Sequence, residues 1–286
     1  MDTSPYRLAM PGVRNTSVVF SSPHSGRDYP WEFLNNSVLD ERTIRSSEDA
    51  FVDLLFSDAP AMGAPLLLAK VPRAYVDLNR SIEELDPALI RDVPKVAHNP
   101  RVSSGLGVIP RVVANGKAIQ LGKMSIKDAR ARLDTCWVPY HARLQTLLNE
   151  ARSSFGEAIL IDCHSMPHEA LESVSRPGLP RADVVIGDRF GASARSDIVE
   201  AIETAFRAAG LRVVRNAPFA GAYITQHYGR PSRNQHAVQI EIDRSLYMNE
   251  RMVRPNGNFQ TVRRLIASVI SEVIEIGRKD QPMAAE

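Results

Sequence analysis

An α/β fold, one mixed β-sheet with helices on both faces, is what this 286-residue chain predicts on three observations. Short apolar runs of strand length alternate with segments whose apolar residues recur every 3.6 positions. Several runs are nearly continuous, as strands covered on both faces are. The length suits one α/β core better than two, so residues 1–286 are expected to form a single catalytic domain, with about 278–286 as a frayed polar tail.

Along the chain, strands are expected at 17–21, 66–71, 74–78, 158–163, 183–186, 211–214 and 238–242, all short runs rich in apolar residues. The stretch from Asp49 to Phe56 reads as the first turns of a helix. A longer helix from about 126 to 152 turns Leu133, Leu144, Leu147 and Leu148 inward. Pro139 should kink or split it, because proline lacks the amide hydrogen. Ile198, Val199, Ile202 and Phe206 form one face of a further helix, and Gly210 ends it. The clearest pattern is the last: Val262, Leu265, Ile266, Val269, Ile270, Val273 and Ile274 share one face. Between 81 and 120 Pro and Gly are frequent and periodicity is weak, which predicts a long excursion over the surface.

Composition narrows the function classes. Hydrophobic residues are 44% and charged residues 24%, as in folded globular chains. Lys plus Arg number 35 against 33 Asp plus Glu, a net +2 that gives no footing for nucleic acid or an anionic membrane. The longest apolar stretches, such as 66–69 and 158–161, fall far short of the roughly 20 residues a bilayer needs. The first twelve residues lack the apolar segment of a secretory signal, and Cys136 and Cys163 have no paired spacing. A reduced, cytoplasmic setting is therefore expected, with the oligomeric state left open.

Polar residues collect where strands end. The groups are Pro23-His24-Ser25-Gly26, Asp77-Leu78-Asn79-Arg80, Asp162-Cys163-His164-Ser165 and Glu241 with Asp243-Arg244. Ligands of open α/β sheets lie at the carboxyl ends of the strands, so these groups can converge. Two histidines, acids and an arginine at one rim suggest a metal hydrolase. Each residue also has a plainer reading. A loop histidine is ordinarily a hydrogen-bonded surface residue, and Asn79-Arg80 can be a turn with a surface ion pair. Glu241 interrupts an apolar strand, which is costly unless the carboxylate is paired or working, yet Gln239, Glu241 and Asp243 could share a solvated face. Cys163 reads as core packing. The HExxH, GxSxG, GxxxxGK[ST] and GxGxxG signatures are absent.

With these segments the chain resembles the N-formylglutamate amidohydrolase (N-formylglutamate deformylase) family. The blocks are Ser22 to Gly26, Glu48-Asp49, Val76 to Arg80, Asp162 to Ser165, Gly221 to Pro231, His236 to Glu241 and Leu246 to Met248, in that order. The resemblance implies the fold of the zinc carboxypeptidases and aspartoacylases (phosphorylase/hydrolase-like), one Zn²⁺ per chain, and a small N-acyl amino acid as substrate. It implies His24 and His164 as the histidine ligands, Glu241 as the general base, and Asn79-Arg80 as a clamp on the substrate carboxylate. Arg244 is a second candidate clamp, and His227 a candidate for the pocket lining.

Two departures from the pattern matter. The His-x-x-Glu pair of the carboxypeptidases is missing, because Arg27 stands three residues after His24. Asp49 is then expected as the acidic ligand, in preference to Glu48. Members acting in histidine degradation tend to have Trp-His where this chain has Ala50-Phe51, and Lys where it has Ala220. The resemblance thus carries the reaction further than the substrate. N-formyl-L-glutamate is the leading candidate, another N-acyl amino acid deacylase or carboxypeptidase-like zinc hydrolase the next. A metal-free hydrolase using Cys163 or Ser165, and a binding protein without catalysis, are further alternatives.

Overall fold

The structure, a computed structural model, describes residues 4–93, 99–172 and 181–278. Seven strands form one sheet in the order β1-β3-β2-β4-β7-β5-β6. They are β1 (Tyr6–Ala9), β2 (Val18–Ser22), β3 (Leu66–Ala69), β4 (Ala158–Met166), β5 (Val184–Gly187), β6 (Val213–Arg215) and β7 (Gln235–Asp243). The central strands β3, β2, β4 and β7 run parallel. At one edge β1 is antiparallel to β3, and at the other the parallel pair β5-β6 lies antiparallel to β7. The sheet is mixed and mostly parallel.

Both faces are covered, which explains the continuous apolar runs. Phe20, Ile161, Cys163, Val238 and Ile240 face one apolar cluster. Residues of α4 (Ser196–Ala208) and α6 (Phe259–Ile276) complete it. Val19, Leu160 and Ala237 face the second cluster, shared with α3 (Val138–Phe155) and α5 (Tyr223–Tyr228). Burying each Val, Leu or Ile of these faces contributes ~1.5–3 kcal/mol against leaving it in water. In α6 the apolar face is buried as its period predicts, except that Leu265 is only partly covered.

Four expectations need correction. Residues 74–78 form no strand. The amides of Tyr75 and Val76 donate to Pro72 O at 2.9 and 3.3 Å, and that of Asp77 donates to Val108 O at 2.8 Å. Their apolar side chains are buried because this turn-rich loop is itself part of the core. The excursion from 81 to 120 is irregular as expected but not wholly superficial, since Leu89, Ile90, Val108 and Ile109 are buried beneath it. The strand expected at 158–163 continues to Met166, so His164 sits within β4 and not beyond it. The helical turn expected from Asp49 begins later, as α1 (Val52–Leu55).

The Pro139 break takes a specific form. Helix α2 (Ile126–Arg132) passes through a π-helical turn, Leu133–Trp137, into α3, with Pro139 in the first turn of α3. The wide turn absorbs the missing amide at the point where proline costs least. The edge strand β1 was not anticipated, because its half-exposed residues lack an apolar run. The tail beyond residue 278 lies outside the described residues.

Candidate metal and substrate site

The parallel register sets the floor of the site. Across β4 and β7, Asp162 is opposite Gln239 and His164 is opposite Glu241, so all four side chains share one face. That face is apolar lower down (Leu160, Ala237) and polar toward the carboxyl end. His24 comes from the loop after β2. Gly26 lets this loop lie against the chain after β3, where a Cβ would come within 2.1 Å of Val71 O. Asp49 is brought in by its own amide, which donates to His24 O at 3.0 Å. Phe51, in left-handed conformation (φ 68°), then turns the chain into α1.

Three buried groups converge. One oxygen of Asp49, Oδ2, lies 2.8 Å from His164 Nδ1 and 3.4 Å from His24 Nδ1. The two imidazoles meet edge to face, 4.7 Å between centroids. The ligand atoms of His24, Asp49 and His164 all lie within 4.8 Å of one another, close enough to hold one metal ion. Each far ring nitrogen is held by another carboxylate: His24 Nε2 by Asp77 Oδ1 at 2.7 Å, and His164 Nε2 by Asp162 Oδ2 at 3.0 Å. Both rings thereby turn Nδ1 toward the shared point. His24 Nδ1 is buried there without a hydrogen-bond partner. An unpartnered buried acceptor of this kind costs ~1–3 kcal/mol unless a ligand occupies it. Neutral imidazoles and a carboxylate, their far nitrogens fixed by carboxylates, are the donor set a divalent transition metal takes.

The local field favours a cation. Burial works against a charge on His164, but Asp162, Asp49 and Glu241 together push its pKa well above the ordinary value. Burial would raise Asp49, yet its bond to His164 and the adjacent His24 imidazole hold it well below the usual carboxylate range. Glu48 is occupied elsewhere: it accepts from Tyr29 OH at 2.6 Å and from Arg45 Nε and Nη2 at 3.0 Å each. Asp49 meets both imidazoles, whereas Glu48 is bonded to Tyr29 and Arg45.

Beside the triad opens a cavity of about 450 Å³. Glu241 lines it, accepting from Gln239 Nε2 at 2.8 Å. Burial, reinforced by Asp49, pushes the Glu241 carboxyl up to about 7, against the pull of His164, Arg73 and Arg244. Arg80 also lines the cavity, buried, with Nε and Nη1 donating to Leu106 O and Asn79 O. Asn79 adjoins it, but its amide is committed to the chain, accepting from Ile224 N and donating to Asp162 Oδ2.

Two expected residues stand differently from their sequence reading. Arg244 reaches the cavity, yet its guanidinium holds Asp49 Oδ1 at 2.9 Å, Ser165 Oγ at 3.2 Å and Ser46 O at 3.4 Å. It is tied to Asp49 and to the chain around Ser46 and Ser165. His227 is not among the residues lining this cavity. It stacks on Tyr223 within α5 and faces a separate depression with Glu83 and Arg230. Cys163 lies on the opposite face of β4 in the apolar core, its thiol pushed well up by burial, which removes it as a nucleophile. Ser165 Oγ accepts from Arg244 Nε, and among the described residues no histidine nitrogen is hydrogen-bonded to it.

Sequence reasoning missed Arg73, and it gave Asp77 and Asp162 no role of their own within the converging groups. Arg73 lines the cavity and donates through Nε to Asp77 Oδ2 at 2.9 Å. Asp77 and Asp162 lay inside blocks already singled out, but only tertiary geometry assigns them to the two imidazoles.

The chain matches the N-formylglutamate amidohydrolase family over residues 16–248. It is 32% identical to a solved N-formylglutamate amidohydrolase from Ralstonia eutropha, with a TM-score of 0.89 over 96% of this chain and 98% of that one. It is 28% identical to an N-formylglutamate deformylase of Pseudomonas aeruginosa over 90% of this chain and 91% of the relative. A deformylase of Pseudomonas putida is 29% identical over 82% of each chain.

Proposed function

The chain belongs to the N-formylglutamate amidohydrolase family, hydrolases of a carbon–nitrogen bond other than the peptide bond, and from that premise we propose that it converts N-formyl-L-glutamate and water to L-glutamate and formate. The observation that carries the reading is the buried triad His24, Asp49 and His164, both Nδ1 atoms aimed at one carboxylate oxygen. These residues would hold a single Zn²⁺. Such an ion supplies a Lewis acid for the formyl oxygen and acidifies the attacking water.

The chain's own residues do the rest. Glu241, poised near neutrality, takes a proton from the attacking water and returns it to the amine nitrogen as the C–N bond breaks. Arg73, on the cavity wall with its Nε on Asp77, would offer its terminal amino groups to negative charge gathering on the formyl oxygen. Arg80 presents a planar fork to a substrate carboxylate, which a lysine could not match. Asp77 and Asp162 keep both imidazoles in the tautomer that leaves Nδ1 as the donor. Arg244 keeps Asp49 in place. A cytoplasmic setting fits a reaction on a small soluble metabolite, and no described helix is long and apolar enough to cross a membrane.

The test pairs metal content with turnover. The purified protein should carry one zinc per chain and release formate from N-formyl-glutamate, and a chelator should abolish that release. His24→Ala and His164→Ala should each lose most of the zinc. Full metal content in both variants, or undiminished turnover in chelator, would overturn the reading.

A further inference from the structure

Four arginines line the cavity, and chain carboxylates neutralise two of them directly. Arg73 holds Asp77 and Arg244 holds Asp49, each at 2.9 Å. Arg80 donates through Nε and Nη1 to carbonyl oxygens, with Asp77 Oδ2 4.0 Å from its Nε. Arg101 is exposed on the cavity wall, and its guanidinium makes no hydrogen bond or ion pair among the described residues.

The positions of Arg80 and Arg101 are tied together. Asn99 Oδ1 accepts from the amides of Arg101 and Val102, fixing the short turn Pro100–Ser103, and Val102 is buried beneath it. Arg101 O accepts from Leu106 N at 2.9 Å, and Leu106 O accepts from Arg80 Nε at 3.2 Å. The loop that carries one guanidinium therefore anchors the other. On the outer side Glu84 is nearby, but its carboxylate accepts from Ser81 N and Asn99 Nδ2 instead of pairing with Arg101. Burial, with the charges of Arg73 and Arg101, holds the Arg80 guanidinium below its ordinary pKa against the pull of Asp77. Two cations facing one cavity repel unless an anion stands between them.

We propose that Arg101 binds the second, side-chain carboxylate of a dicarboxylic N-acyl amino acid, while Arg80 holds the carboxylate nearer the scissile amide. The assignment rests on the hydrolase reading above and follows depth. Arg80 is buried beside Asn79, whose amide bonds Asp162 next to His164, whereas Arg101 is exposed, where only the far end of the substrate arrives. Selection of an acidic over a neutral side chain would then reside in one exposed arginine.

Arg101→Ala tests this, because an exposed side chain without partners among the described residues can be removed without disturbing the fold. The parent should favour N-formyl-glutamate over N-formyl-glutamine, and in Arg101→Ala that ratio of kcat/KM should fall by ~10-fold or more, the scale of one charged hydrogen bond. Arg101→Lys should recover part of the ratio. Calorimetry with zinc-loaded protein gives a readout independent of turnover: the parent should bind glutarate in preference to butyrate, and Arg101→Ala should lose most of that preference. Ratios unchanged in both experiments would overturn the role of Arg101 and leave the deformylase reading standing. A parent that cleaves no N-formyl amino acid, yet loses its glutarate preference with Arg101, would overturn the reaction and keep the dicarboxylate site.

Discussion

Glu241 illustrates how one residue's position in a strand sets its chemistry. The β7 residues on either side of it, Ile240 and Ile242, point into the apolar cluster on the far face of the sheet. Glu241 itself points to the polar face opposite His164. Burial denies its carboxylate full hydration, and the neighbouring Asp49 charge adds to the cost of ionising it. The result is a carboxyl near neutrality, able both to accept and to return a proton. Glu241→Gln preserves shape and the bond to Gln239 while removing basicity. Turnover should fall ~10²–10⁴-fold, the usual cost of losing a general base, while zinc content stays at that of the parent. Activity within a few fold of the parent would move the base elsewhere. Joint loss of metal and activity would instead make Glu241 a structural support of the triad.

Among the elements, α3 does more than cover the sheet. Its buried His141 reaches the loop that carries Asn79 and Arg80, donating through Nε2 to Leu78 O at 2.9 Å and accepting through Nδ1 from Tyr228 OH at 2.9 Å. This one ring joins α3, α5 and the clamp loop. Burial pushes its pKa down to about 3, so it folds neutral. The unfolded chain takes up a proton near the ordinary 6.5, so the stability His141 confers is complete above pH 6.5 and declines as pH falls toward 3. The slope approaches ~1.4 kcal/mol per pH unit for one proton. Denaturant unfolding of metal-free parent and His141→Gln at pH 7.5 and pH 5 should show the gap between them narrowing in acid. A gap independent of pH would refute the buried, neutral state. The same loop marks where sequence reading stopped. The period of α6 was legible because one helix face alone explains it, and His24 and His164 stood out because each follows an apolar run. The run Ala74–Leu78 misled because a core-lining turn and a buried strand use the same residues. Asp77, Asp162 and Arg73 carried no separate signal, since their roles depend on which side chains they meet across the fold.

At the scale of the whole molecule, the triad joins parts of the chain that are far apart in sequence. His24 follows β2, Asp49 precedes α1, and His164 lies in β4, the strand paired with β2. An ion shared by all three would clamp the carboxyl ends of two central strands to the loop that leads into the α1–α6 side of the core. The unfolded chain has no such preformed site, so metal bound to the folded state adds its binding free energy to stability. At zinc 100 times the dissociation constant, this amounts to ~2.7 kcal/mol. For a chain of this size, such a gain should raise the midpoint of thermal unfolding by ~5 °C. The rise should grow with the logarithm of free zinc and vanish in His24→Ala, which keeps the rest of the sheet but leaves the triad one ligand short. Asp77→Asn should show a smaller, intermediate rise, since it weakens the grip on His24 without removing a ligand. An equal zinc-dependent rise in parent and His24→Ala would place the metal elsewhere in the chain, and the clamp across β2 and β4 would have to be abandoned.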